Sequence, residues 1–236
     1  MTNHFESVNP MIPKRLIWRS WGLEKTGKNH FGFTAPGPIY GQYFDPGGIE
    51  GVAQKFLKAP LGPKEIRYVQ YKFNKKEHTK AYACEVRDQF IKDYRVGLTV
   101  ARTIQWDETE AWEVFRFAEF GRESAMGRDY GPVNGMYRGL LQEAYDAGVN
   151  LQLIQKVKEK WVNEKSTGTF EPVGFKQANY IVQVNISHAW SRETGFVSTI
   201  VNCRQNVNLW GMDFVDLTFH ELGQFVYPDT TAADWQ

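Results

Sequence analysis

The chain is short of cysteine, of surplus charge of either sign and of long apolar runs, and each shortage removes a class of protein. Two cysteines in 236 residues, Cys84 and Cys203, cannot build the disulfide-dense scaffold of a small secreted domain. Neither stands in a CxxC or CxxH spacing, so no structural zinc site is expected. Lysine and arginine number 28 against 27 aspartate and glutamate. That balance argues against a bulk electrostatic binder of nucleic acid, which carries a clear basic excess, while leaving room for a local basic groove. No stretch approaches the roughly 18 apolar residues of a membrane-spanning helix. The opening MTNHFESVNPMIPKRLIW has no charged segment followed by an apolar run, the mark of a secretory leader. The expectation is a reducing, cytoplasmic setting with no membrane partner. No internal repeat or low-complexity tract is visible.

What the chain does have is apolar and aromatic substance, 42% and 15% of its residues. That is enough to bury a sizeable core. The expected architecture is a single α+β domain over residues 1–236, with a mixed or antiparallel sheet packed against several helices. Residues 1–64 read as a loop-rich segment. Within it, FGFTAPGPIYGQYFDPGG (31–48) holds Phe31, Phe33, Tyr40, Tyr43 and Phe44, too many aromatics for disorder, and is read as a loop packed on the core. It lacks the Gly-Lys-Ser/Thr ending of a phosphate-binding P-loop and follows no clear strand. Just upstream, RLIWRSW (15–21) interleaves basic and aromatic residues. Such a segment can stack and clamp nucleic acid, but the balanced charge favours a strand or loop that anchors two tryptophans in the core.

Period-two alternation predicts strands at 65–73 (EIRYVQYKF), at 80–87 (KAYACEVR) and at 96–105, joined into an antiparallel meander by the polar 74–79 connection. Asp107 is placed to cap a helix whose first turn carries Glu108 and Glu110. A second helix is expected over 132–147, opened by Pro132 and closed by Gly148. A third is expected from Asn150 to Asn163, burying Leu153, Ile154, Val157 and Trp161. Strands at 179–187 and 195–203 read as a hairpin joined by HAWSRET. From Asp213 onward, Phe214, Leu217, Phe219 and Leu222 suggest a helix face.

Few constellations carry chemistry. His220-Glu221 starts like a zinc-binding HExxH, but position 224 is glutamine, so no metal is expected. No GxSxG nucleophile elbow is present. Cys203 ends an apolar strand and reads as a small buried hydrophobe, with Arg204 the only hint of an activating charge. The most informative segment is 199–219, TIVNCRQNVNLWGMDFVDLTF. A strand delivers Arg204 at its end, Asn206 and Asn208 follow, and acidic residues open the next element. A guanidinium there can fork onto a phosphate. The plain alternative is a strand and turn in which Arg204 pairs with Asp213 or Asp216.

VNCRQNVNLWGMDF, with Gly211 seven residues after Arg204, resembles the phosphate-binding strand end of the thymidylate synthases and related deoxypyrimidine monophosphate hydroxymethylases. Upstream, YGPVNGMYR (130–138) resembles that family's Gly-Pro-x-x-Gly segment. The resemblance implies a pyrimidine nucleoside monophosphate held by Arg204 and Asn206, its base read by Asp213, Asp216 or Asn208, with Tyr130, Asn134, Tyr137 and Trp210 around it. It further implies a homodimer and, if C5 transfer is retained, a tetrahydrofolate derivative as cofactor. The family's nucleophilic cysteine is absent, with Ala178 near its place, which implies altered or absent catalysis. The alternative is a structural or assembly subunit of a virus particle or large complex. Nucleic acid is not expected as a partner.

Overall fold

The computed structural model describes residues 15–45, 49–58, 64–122 and 126–235. In chain order the elements are β1 (Ile17–Trp21), α1 (Lys28–Phe33), β2 (Ile39–Tyr43), α2 (Glu50–Ala53), β3 (Ile66–Gln70), α3 (Lys80–Val100), β4 (Thr103–Asp107) and α4 (Glu108–Phe120), then α5 (Gly131–Ala147), β5 (Asn150–Gln155), β6 (Val157–Val162), β7 (Lys165–Pro172), β8 (Val184–Ser191), β9 (Gly195–Cys203), β10 (Asp213–Val215) and α6 (Phe219–Val226). Eight strands form one mixed sheet in the order β10-β9-β8-β1-β5-β4-β2-β3. From β8 to β3 every neighbour is parallel, while β9 and β10 close one side antiparallel. Among the described residues the remaining strands, β6 and β7, pair only with each other. The protein is thus of the expected α+β class, with a mostly parallel sheet.

Alternation along the central strands sends residues to two cores. Ile17, Leu151, Leu153, Ile104 and Trp106 pack with Phe90, Tyr94, Phe115, Tyr137 and Leu141 of α3, α4 and α5. On the opposite face Leu16, Trp18, Val184 and Ile186 meet Phe31, Phe219 and Leu222, and Ile39 and Ile154 meet Phe33 and Phe56. Each fully buried ring or aliphatic chain contributes on the order of 1.5–3 kcal/mol through water exclusion. Covered on both faces, the parallel strands carry little polar–apolar alternation. The short α1 ends against Lys64, whose ammonium donates to the carbonyls of Phe33, Thr34 and Ala35 at 3.0, 2.8 and 2.7 Å.

Several predicted elements stand. The helices beginning at Glu108 and spanning 132–147 are present, and Gly148 closes the latter with φ 68°. The 195–203 strand is present too, but its hairpin partner, expected at 179–187, begins only at Val184, after a 3-10 turn at Lys176–Tyr180, and runs on to Ser191, so that most of HAWSRET is strand. Others are corrected. The strand expected at 80–87 lies in the helix α3, which runs on through residue 100, so that of 96–105 only Thr103–Gln105 is strand, in β4; no antiparallel meander forms, since β3 pairs parallel with β2. In α3 the buried Ala83, Val86, Phe90, Tyr94 and Gly97 recur at helical spacing, and Thr79 caps it by accepting from the Tyr82 amide. Eight residues of apparent alternation were too short a window against that longer period. The helix expected at 150–163 is instead the fully buried strand β5 and the exposed strand β6. A strand buried on both faces mimics one face of a helix in a short apolar run. At 213 the chain makes the short β10, and the helix starts only at Phe219, where Thr218 and Glu221 form a capping box. The segment read as loop-rich supplies β1 at the centre of the sheet, together with α1, β2 and α2; residues 1–14 lie outside the described residues.

Candidate functional site

In a parallel sheet the carboxyl ends of the strands open onto one edge, where ligands bind in α/β proteins. Here β1, β5 and β4 end side by side: Trp21 pairs with Gln155, and Asp107 with Ile154. The chain leaves β1 as Gly22-Leu-Glu-Lys-Thr-Gly27-Lys28-Asn29. This is a Gly-x-x-x-x-Gly-Lys loop between a buried parallel strand and a helix, the context in which such a loop cradles phosphates with its backbone amides.

The loop's geometry depends on its glycines. A Cβ on Gly22 would come within 2.3 Å of the His188 carbonyl oxygen, and one on Gly27, whose φ is 92°, within 2.6 Å of the Phe196 ring. The Lys28 ammonium donates to the carbonyls of Gly22 at 2.8 Å and Leu23 at 2.6 Å, and Thr26 Oγ1 to that of Leu23 at 2.9 Å. Burial lowers the Lys28 pKa, partly offset by the charges of Asp107, Glu24 and Glu110. From below, Gln152 Nε2 donates to Ser20 Oγ and to the Lys28 carbonyl, both at 3.0 Å. Ser20 in turn meets His188 Nε2 at 3.1 Å, and His188 Nδ1 meets Ser198 Oγ at 3.1 Å. Burial, with the Lys28 charge added, pushes His188 down to about 3. A neutral polar chain therefore carries the loop.

Two carboxylates stand at the end of β4: Asp107, whose charge acts on Lys28, and Glu108, on the other face of the sheet beside Arg19 and Tyr137. Asp107 Oδ2 accepts from the amides of Phe44 at 3.1 Å and Asp45 at 3.4 Å. Burial, then the charge of Glu110, raises it to about 6 against the opposing pull of those amides and Lys156. Glu108 is completely buried. Its Oε2 accepts from Gln155 Nε2 at 2.6 Å and its Oε1 from the Phe175 amide at 2.8 Å. Burial raises it to about 7, opposed by those hydrogen bonds and by Arg19. Arg19, on β1, is itself held down to about 10 by burial. Lys156, just after Gln155, is ion-paired with Glu110. The edge thus brings together a cation on a glycine loop, an aspartate and a buried glutamate of raised proton affinity. That set can bind a phosphate chain, share a magnesium ion with it and take a proton from water.

Most of the residues singled out from the sequence lie elsewhere. Arg204 is exposed at the end of β9, its guanidinium donating to the Tyr180 carbonyl. Asn206 donates to the Phe225 carbonyl at 2.8 Å and accepts from the Asn208 amide at 3.2 Å. Asp213 accepts from Thr199 Oγ1 at 2.6 Å. Asp216 sits in a left-handed conformation, φ 50°. Trp210 donates to the Cys203 carbonyl at 2.8 Å. Arg204, Asn206 and Trp210 lie beyond the end of β9, whereas Asp213 pairs with Thr199 midway along that strand and Asp216 lies at its start beside Gly195 and Phe196. Tyr137 is buried among Trp106, Trp112 and Phe175 with its hydroxyl against Glu108, so it is the one residue singled out from the sequence that reaches the buried glutamate. Tyr130 stacks edge-on against Phe120, and Asn134 lies in the first turns of α5. Cys203 is buried, and burial pushes its thiol up. A wide groove of about 670 Å³ lies on the outer face of α3, lined by Ile91, Arg95 and Val96 among others, away from both regions.

No protein-family model matches the chain, and no curated protein matches it. The loop at 22–28 and the pair Asp107-Glu108 were overlooked in the sequence, although both carried a signal. The Gly-x4-Gly-Lys spacing is plain, but Asn29 stands where a P-loop has serine or threonine, and the strand before it is too polar at Arg19 and Ser20 to declare itself. Thr103–Trp106 followed by Asp-Glu reads as helix capping until β4 is seen beside β5.

Proposed function

We propose that the protein binds a nucleoside triphosphate with its magnesium ion and hydrolyses the terminal phosphoanhydride bond. One observation carries this reading: the Gly22–Lys28 loop leaves a buried parallel strand at the sheet edge where β4 delivers Asp107 and Glu108. The loop amides cradle the phosphates, and Lys28 exchanges its loop carbonyls for phosphate oxygens. Asp107 and the Asn29 carboxamide oxygen would hold a magnesium ion arriving with the nucleotide, which would supply charge neutralisation of the phosphates. Glu108 orients a water and accepts its proton. The water oxygen bonds to the γ-phosphorus, the bond from that phosphorus to the β–γ bridging oxygen breaks, and a nucleoside diphosphate and inorganic phosphate leave.

Thermal unfolding with ATP and magnesium, together with release of inorganic phosphate, tests the proposal. Ligand at 100 times its Kd stabilises the folded state by about 2.7 kcal/mol. Lys28→Ala is expected to abolish that shift and the phosphate release while leaving the fold intact; unchanged ATP affinity in the variant would overturn the assignment. The rival proposal is a pyrimidine nucleoside monophosphate at Arg204, with a tetrahydrofolate derivative if C5 chemistry is retained. It is supported by the guanidinium at the end of β9, and it predicts shifts with dUMP, dCMP or CMP that Lys28→Ala leaves untouched.

A further inference from the structure

Among the described residues Arg19 is the only buried lysine or arginine, 5% exposed. Period two sends it from β1 to the same face as Ile17, away from Trp18 and Ser20. Its Nε is buried and has no hydrogen-bond partner. The carboxylate that feels its charge, Glu108, is completely buried. No ion pair or hydrogen bond joins the two; the Glu108 oxygens accept from Gln155 Nε2 and the Phe175 amide instead. Two opposite charges are thus kept near one another and yet apart inside the protein, a costly arrangement unless something bridges them.

Other polar groups around them are unspent. Asn185 stands beside Arg19 in register on β8; it is 1% exposed, and its Oδ1 has no donor. Two residues beyond Arg19, on the same face of β1, Trp21 Nε1 has no acceptor. Trp21 pairs in register with Gln155, whose buried Oε1 has no donor. The orientation of that amide is set, because its nitrogen must meet the Glu108 carboxylate, so the oxygen is the free end. Tyr137 has its hydroxyl against Glu108, and its ring, with those of Trp112 and Phe175, walls the cluster. The unspent donors lie on β1, and the unspent acceptors flank it on β8 and β5. All stand toward the carboxyl ends of parallel strands, where sheets of this kind take ligands, on the face opposite Ser20 and Gln152, which support the glycine loop.

A ligand that completes this set accepts from a guanidinium and an indole N–H, and donates to a carboxylate and two amide oxygens. A carboxylate forks onto a guanidinium. An ammonium offers three donors and accepts nothing. A molecule that carries both on one carbon is an α-amino acid. We infer that this cluster binds the main-chain groups of a free α-amino acid, with the carboxylate on Arg19 and Trp21 and the ammonium among Glu108, Gln155 and Asn185. The site goes beyond the nucleotide reading and shares only Glu108 with it.

Thermal unfolding of the full chain without nucleotide, with each standard amino acid in turn, tests the site. Acetate and methylammonium serve as the two halves of the ligand. At least one amino acid is expected to raise the unfolding temperature saturably. It is expected to bind at least about tenfold more tightly than either half, the weight of one charge-assisted hydrogen bond. Arg19→Met puts an apolar chain of similar length in place of the cation and is expected to fold and lose the response. Trp21→Phe removes only the indole donor and is expected to weaken binding, with unfolding in the absence of ligand close to wild type. No response to any amino acid, acetate binding as tightly as the best of them, or unchanged affinity in either variant overturns the site. Lys28→Ala is expected to keep the amino-acid response in full while losing that to ATP, so a failure of either proposal is seen apart from the other.

Discussion

Lys28 and Arg204 are both cations presented just beyond the end of a strand, and both invite an anion, yet their surroundings differ. Lys28 follows β1, buried and flanked on both sides by parallel strands. The neighbouring strand ends bring Gln155, Asp107 and Glu108 to the same edge. Arg204 follows β9, which runs antiparallel between β8 and the short β10. Its guanidinium is engaged by the Tyr180 carbonyl, and the Asn206 side chain beside it is occupied by the Phe225 carbonyl and the Asn208 amide. A cation at a strand end becomes a reaction site only where other strands bring complementary groups to it. Parallel strands do this because all their carboxyl ends open on one side; antiparallel neighbours send alternate ends away.

The largest expected effect that can break this comparison is on hydrolysis. Glu108→Gln should retain ATP binding and lose hydrolysis by about 10²–10⁴-fold, the usual contribution of a positioned general base; steady-state phosphate release set against the thermal shift separates the two. Undiminished turnover in that variant would leave the β4 end with no catalytic group.

Next comes the polar chain beneath the loop. Unfolded, His188 takes a proton near pH 6.5; folded, burial delays that to about 3. Between those values the unfolded state binds more protons, so stability falls as pH falls, by up to about 1.4 kcal/mol per pH unit. Glu108 has the opposite sign. Its folded carboxyl holds a proton up to about pH 7, above its unfolded value, so its contribution is complete at low pH and lost as pH rises through 7. Urea denaturation between pH 4 and 8 is expected to show His188→Asn flattening the acid limb and Glu108→Gln flattening the neutral one.

The smallest effect sharpens the other side of the comparison. Arg204→Ala removes an exposed side chain and should change stability by no more than about 0.5 kcal/mol, with ATP affinity unchanged by calorimetry. Any binding of dUMP or dCMP that this variant abolishes would make the β9 end a second anion site.

Some of this was written locally. Glu108 and Glu110 opening a helix, Gly148 stopping one and the two strong strands of the β8–β9 hairpin follow from a few neighbouring residues, because capping, left-handed φ and cross-strand pairing are short-range effects. The Gly22–Lys28 loop was equally local and was missed for lack of one hydroxyl at Asn29. Other elements were not legible. Leu151 to Gln155 carry no alternation because both of their faces are buried, and α3 imitated two strands in short windows.

The sequence by itself determined a mixed α and β protein with a large aromatic core and, among the described residues, no helix long and apolar enough to cross a membrane. Tertiary structure alone decided that the ends of β1, β5 and β4 lie side by side, with Asp107 acting on Lys28 and Glu108 meeting Gln155 and Phe175. Their encounter depends on strand order: β5, the fifth strand of the chain, inserts between the first and the fourth. Pairing over such separations is fixed by the packing of two cores at once, which no local pattern encodes.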